Sequence, residues 1–193
     1  MTLILASASP RRRELLAQLG LGNTTFQFSV QPADIDESLH EGEAPASFVC
    51  RLAQEKAQAG LAASGDAAAV VLGSDTIVVC DDTILGKPSD SADAVAMLSS
   101  LSGRTHQVLT AVALCSAHRT ESVLVCTEVT FTELTAAQIH AYIASGEPMD
   151  KAGAYGIQGL GGSFVKQLHG SYSAVVGLPL VETRELLQKM NII

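Results

Sequence analysis

Three consecutive arginines, Arg11, Arg12 and Arg13, hold a quarter of the twelve Lys and Arg residues in a chain of 193. They follow Ser7-Ala8-Ser9-Pro10, where Ser9 reads as a helix N-cap and Pro10 as a first-turn residue, so the arginines fall in the first turn of a helix. That end of a helix is partially positive, and each cation there costs up to about 1 kcal/mol unless an anion is bound. Two serine hydroxyls, open backbone N–H groups and guanidinium forks at one point make a socket for a polyphosphate or a carboxylate. A solvated basic turn is the alternative.

A second candidate is Asp75, alone in an apolar run that leads from Ala67 through Gly73-Ser74-Asp75-Thr76 into Ile77-Val78-Val79. A buried carboxylate is costly unless paired, so Asp75 needs a cation, a metal or an opening to solvent; a capping Asp at a ladder end is the plainer reading. Gly73 suggests a bulge or a close approach of backbone to a ligand. The polar stretch from Gln31 to Pro45 reads as an active-site loop, and its Asp34, Asp36 and Glu37 can hold a divalent cation or stay solvated. Lys56 shares a helical stripe with Val49, Leu52, Ala53 and Gly60. It therefore either snorkels to water or points its ammonium into an anion-lined cleft. Arg51, on another face, has Glu55 as an i,i+4 partner. Pro88 biases Lys87 to an extended backbone at a strand end. The segment from Asp150 to Gly162 has five glycines and one long amide, Gln158. It is not a dinucleotide fingerprint, because no strand precedes a G-x-G-x-x-G; it either approaches a base and reads its edge or is a flexible connection.

The elements that must position these residues alternate. Strands are expected at 3–6, 25–30, 67–79, 84–85, 106–116, 122–132 and 163–167. Helices are expected from Pro10 to a stop at Gly20, and at 47–62, 91–101, 135–145 and 178–190. Asp81-Asp82 marks a hairpin tip and 117–120 a second hairpin. The formal net charge of −8 opposes binding to DNA, RNA and anionic membranes, so a basic socket on this chain points to a small anionic ligand. Cys50, Cys80, Cys115 and Cys126 are far apart with no C-x-x-C pair and read as buried free thiols of a reducing cytosol. His106, His118, His140 and His169 lack metal spacing and read as surface or satisfied core. No run reaches the roughly twenty apolar residues of a membrane span, and no basic leader precedes a long apolar stretch, so a soluble cytoplasmic protein is expected.

Six stretches carry a likeness in order along nearly the whole chain: Ser7-x-Ser9-Pro10-Arg11-Arg12, Arg51-Leu52-Ala53-x-Glu55-Lys56-Ala57, Gly73-Ser74-Asp75-Thr76, Gly86-Lys87-Pro88, Asp150 through Gly159, and Val176-Gly177-Leu178-Pro179. With them the chain closely resembles the Maf nucleotide pyrophosphatases, in the branch acting on dTTP and UTP. The 7-methyl-GTP branch places Trp where Arg11 stands here. The resemblance implies a single domain over 1–193 with an α/β fold: a mixed elongated sheet, with helices in two lobes around a central cleft, akin to the inosine-triphosphate pyrophosphatases. It implies hydrolysis of a nucleoside triphosphate to monophosphate and pyrophosphate with a divalent cation, Mg²⁺ or Mn²⁺. A house-cleaning and cell-division-arrest role and a cytoplasmic location come with it, and a homodimer is left open. Carried over by position, Asp75 is the proton acceptor and Arg11, Thr76 and Gln158 set base preference. Ser9, Arg12, Lys56 and Lys87 contact phosphates, and Glu37 stands with Asp75 at the metal. Cleavage between the α and β phosphates needs water at the α phosphorus and positive charge against the departing pyrophosphate. A nucleotide-binding regulator without turnover is the alternative, told apart by pyrophosphate release. A nucleic-acid binder would show steeply salt-dependent affinity for random DNA.

Overall fold

The computed structural model describes residues 2–22 and 25–193. The first apolar run forms β1 (Thr2–Leu5), and Ser9 caps α1 (Pro10–Gln18) by accepting from the Arg12 N–H at 3.4 Å. β2 (Phe28–Val30) is shorter than the expected 25–30, because its parallel ladder runs only from Leu3↔Phe28 to Leu5↔Val30, where β1 ends. α2 (Pro45–Ser64) starts earlier than the expected 47: Pro45 occupies the first turn, where a missing N–H costs nothing. Gly65, at φ 63°, ends it in the left-handed region.

β3 (Ala69–Cys80) runs unbroken through Gly73 and Asp75, parallel to β1 in the register Thr2↔Ala69 to Leu5↔Leu72. Asp81 and Asp82 both take positive φ, the two-residue turn that matches strand twist, and return the chain as β4 (Thr83–Leu85), antiparallel to β3. α3 (Ser91–Leu101) is capped by Asp90, and α4 (Ala136–Ala144) by a full Thr135/Gln138 capping box. Between these helices lie β5 (Thr105–Cys115) and β6 (Thr120–Phe131). Three 3-10 turns, Glu147–Asp150, Ala152–Ala154 and Leu160–Phe164, carry the glycine-rich segment into β7 (Val165–His169), antiparallel to β6. A five-residue α5 (Tyr172–Val176), absent from the sequence reading, precedes α6 (Leu180–Lys189). Among the described residues the sheet has seven strands in the order β2-β1-β3-β5-β6-β7, with β4 on β3. The expected mixed α/β fold is therefore present.

The chain divides into two compact units. One comprises Met1–Asp75, Thr110–Val125 and Gly177–Ile193, the other Thr76–Leu109 and Cys126–Val176. In the first, α2 lays small residues on the sheet: a Cβ at Gly60 would stand 2.8 Å from Val71 Cγ1 and 3.0 Å from the Ala6 Cβ. In the second, Leu98, Leu101, Val108, Val129 and Ile139 surround an aromatic group. Phe131 meets His106, Tyr155 and Phe164 edge-on at ring separations of 5.0, 4.7 and 6.0 Å.

Two expectations are corrected here. Cys80 and Cys115 are buried, but Cys50 is half-buried and Cys126 exposed, because β6 alternates and Cys126 falls on its solvent face. His106 is core but only half satisfied: Nε2 pairs with the Tyr155 hydroxyl at 2.9 Å, while Nδ1 finds no partner among the described residues. Burial pushes its pKa down to about 4, so the ring is neutral at pH 7.

Candidate active site

In the first unit the site begins at Gly73. A Cβ there would fall on the Ala53 carbonyl and 2.6 Å from Ala57 N, so the backbones of α2 and β3 pack directly. The glycine thus serves a helix contact; the expected bulge or ligand approach is not what it provides. The close contact puts Lys56, beside Ala57, within reach of Asp75, two residues beyond Gly73. The Lys56 ammonium lies 2.7 Å from Asp75 Oδ1 and 2.7 Å from Glu37 Oε1. Lys56 and Asp75 are both 8% exposed, so each neutralises the other's burial. Lys56 thus turns its ammonium to two carboxylates.

Next to this trio, α1 presents its socket. Arg12 Nε–H donates to the Gly177 carbonyl at 2.9 Å, and Nη1 to Ser7 Oγ at 3.5 Å. The same Gly177 carbonyl accepts from Ser74 Oγ at 3.2 Å, which ties the arginine to the residue preceding Asp75. Gly177 has φ 132°, a conformation that side-chain-bearing residues avoid. Burial pulls the Arg12 guanidinium below its usual value and Arg11 adds to this, while Asp75 and Glu37 oppose it. Arg11 is half-buried and Arg13 exposed.

Of the three acids in the loop, the structure brings Glu37 to Lys56. Asp36 instead accepts from the Ser38 N–H at 2.9 Å in a local turn. Arg51 holds this loop: it grips Glu43 with Nε and Nη2 at 2.7 and 2.8 Å and donates to the Ser38 carbonyl at 2.9 Å. Its expected partner Glu55 is farther, at 3.2 Å.

The second unit carries Thr76, Lys87 and Gln158. Lys87 is exposed just past β4, and the preceding Gly86 carbonyl accepts from the Gly153 N–H at 3.0 Å, joining that strand end to the glycine-rich segment. The segment is folded against a carboxylate. Glu147 Oε1 accepts from the Tyr142 hydroxyl at 2.8 Å and the Gly161 N–H at 3.1 Å, and Oε2 from the Leu160 N–H at 2.9 Å. Burial pushes the Glu147 carboxyl up, but those backbone donors, the Tyr142 hydroxyl and Lys151 outweigh it and hold it below its ordinary value. Gln158 stays exposed.

With this geometry in hand, the comparisons decide the family: a model described as Maf-like protein matches residues 2–190. The chain belongs to the Maf-like proteins. A relative from Shewanella oneidensis, named dTTP/UTP pyrophosphatase, is 60% identical over 194 residues, covering 100% of both chains. Relatives of the same name from Vibrio vulnificus and Pseudoalteromonas atlantica are 56% and 55% identical. The first covers 97% of each chain, the second 98% of this chain and 97% of its own. A solved nucleoside-triphosphatase / dITP/XTP pyrophosphatase of Mycobacterium abscessus matches 70% of this chain and 76% of its own at TM-score 0.45 and 16% identity.

Three residues of this Maf-like chain, Gly177 and Arg51 in the first unit and Glu147 in the second, each order a segment that carries candidate site residues of its own unit, and none is marked for that work by the sequence. Gly177 acts through a backbone carbonyl, which leaves no mark in sequence beyond a glycine. For Arg51 the i,i+4 spacing points to Glu55, whereas Glu43, eight residues before it, accepts both arms of its guanidinium fork. Glu147 stands two residues past the helix expected at 135–145, where its type alone carries no signal.

Proposed function

We propose that this protein is a nucleoside triphosphate pyrophosphatase that hydrolyses dTTP and UTP, and modified pyrimidine triphosphates with them, to the monophosphate and pyrophosphate. Asp75 carries the proposal: it is a carboxylate inside an apolar strand, 2.7 Å from a buried ammonium, in the unit that also presents Arg12. Relatives 55–60% identical over nearly their full length bear that activity in their names. Asp75 takes the proton of a water attacking the α phosphorus; the bond from that phosphorus to the bridging oxygen breaks and pyrophosphate leaves. Lys56, Arg12, Ser9 and Lys87 meet the phosphate charge. Arg11, Thr76 and Gln158 choose the base.

A divalent cation, Mg²⁺ or Mn²⁺, suits the same place. Asp75 and Glu37 already converge on one positive charge, and both offer hard oxygen donors. Among the described residues no three His, Cys, Asp or Glu side chains gather for a metal. Mg²⁺ is commonly held by one or two carboxylates, with substrate phosphates and water completing the shell. When bound, the ion lowers the pKa of water and offsets phosphate charge. Among the described residues no helix is long and apolar enough to cross a membrane, and a cytoplasmic house-cleaning role is part of the proposal.

The test is a panel of dTTP, UTP, CTP and GTP assayed for pyrophosphate with Mg²⁺, with Mn²⁺ and without metal. Metal-dependent pyrophosphate release from dTTP and UTP above the others is expected. Tight nucleotide binding with no pyrophosphate would turn the assignment to a regulator without turnover.

A further inference from the structure

Gln158 lies in a loop whose backbone is held on both sides by one carboxylate. On the C-terminal side, Glu147 takes the N–H groups of Leu160 and Gly161. On the N-terminal side it acts through Tyr142, whose hydroxyl donates to Glu147 and accepts from the Gly156 N–H at 3.1 Å. Tyr142 is itself fixed, 4% exposed and edge-on to Phe164 at 5.0 Å. The glycines make the wrap possible. A Cβ at Gly159 would stand 2.5 Å from the Glu147 carboxyl carbon, and one at Gly161 2.6 Å from the Tyr142 hydroxyl. Lys151 closes the base of the loop on the Glu147 carbonyl at 2.8 Å. Between these anchors only Gln158 keeps an exposed, long polar side chain. A flexible connection would not spend a half-buried charge and three donors on its shape.

We propose that Glu147 is a specificity-positioning residue, acting through Gln158 by fixing the backbone on either side of it. The fixed backbone then presents the side chain from one place, from which its amide donates to a base carbonyl while accepting from the adjacent N–H. Such a pair favours uracil and thymine over cytosine, which has no N3–H and carries an amino group in place of O4. The inference rests on the proposed selection of dTTP and UTP by Gln158. With the backbone loose, the same amide could approach either base in more than one way, and discrimination would be lost even though Gln158 remained.

The experiment measures kcat/KM for UTP and CTP in wild type, Glu147→Gln, Tyr142→Phe, Gln158→Leu and the Glu147→Gln/Gln158→Leu double variant, with amide exchange at Leu160 and Gly161. Glu147→Gln keeps the size but turns one acceptor into a donor facing backbone N–H. It should lower the UTP/CTP ratio by about tenfold and speed exchange at both amides by a similar factor. Tyr142→Phe, which leaves the carboxylate and its backbone donors, should lower the ratio by roughly threefold. In the Gln158→Leu background, Glu147→Gln should change the ratio no further, since its effect passes through the amide. An unchanged ratio in Glu147→Gln despite faster exchange overturns the inference, as does an equal fall with and without Gln158. If Gln158→Leu alone leaves the ratio untouched, the base-selection reading itself fails and takes the inference with it.

Discussion

Lys56→Met removes the ammonium that holds two carboxylates and leaves a side chain of similar length. The two ion pairs are equal in distance, 2.7 Å each, but not in setting. The side chain of Glu37 is 54% exposed, so water takes over when its partner goes, and that half is worth no more than about 1 kcal/mol. The side chain of Asp75 is 11% exposed, and stripping the partner from a buried charge costs roughly 3–5 kcal/mol. The Asp75 half dominates, and the total loss should be about 3–5 kcal/mol. Urea unfolding without nucleotide or metal reads it directly. Adding Asp75→Asn to Lys56→Met removes the orphaned charge and should restore at least about half of the loss, a coupling that only contacting residues show. A loss below about 1 kcal/mol, or no recovery in the double variant, would mean that Asp75 is not held by Lys56.

Arg12→Ala should weaken triphosphate binding by about 1.5–3 kcal/mol and nucleoside binding far less, measured by calorimetry; equal losses would take Arg12 out of a phosphate site. Arg51→Ala should free the loop that carries Glu37, seen as faster amide exchange at Ser38 and a KM for dTTP raised roughly tenfold, with protection at Ser38 unchanged as the contrary result. His106 refuses a proton until about pH 4, whereas in the unfolded chain it takes one near 6.5. The unfolded state therefore binds more protons between those values, and stability should fall by about 3 kcal/mol as pH drops through that window. His106→Gln should flatten that slope in urea melts across pH 4–7, and an identical slope would assign it to other groups.

The placement of Lys56 and Asp75 in the candidate site was legible because helical and strand periodicity place side chains on faces. The stripe through Val49, Leu52, Ala53 and Gly60 put Lys56 inside, where it is found, and an unbroken apolar strand made Asp75 a charge in need of a cation. What it could not give was which cation, since nothing local in β3 names a lysine nineteen residues earlier. Contacts that cross a turn were similarly hidden: Glu147 meets the amides of Leu160 and Gly161 thirteen and fourteen residues on, through backbone groups that every residue possesses. Gly73 was read toward a ligand because a missing side chain says that something comes close, not what; here it is the backbone of α2. The five-residue α5 was missed for a different reason, as a single turn is too short to show a period.

Hydrolysis of dTTP in ¹⁸O-labelled water with saturating Mg²⁺, in wild type and Asp75→Asn, tests the central claim most directly. Attack at the α phosphorus puts the label in dTMP and none in pyrophosphate. The asparagine variant should form labelled dTMP about two to four orders of magnitude more slowly while still binding the nucleotide. Label in pyrophosphate or in inorganic phosphate, or a variant that keeps more than about a third of the wild-type rate, would contradict the roles given to the α phosphorus and to Asp75.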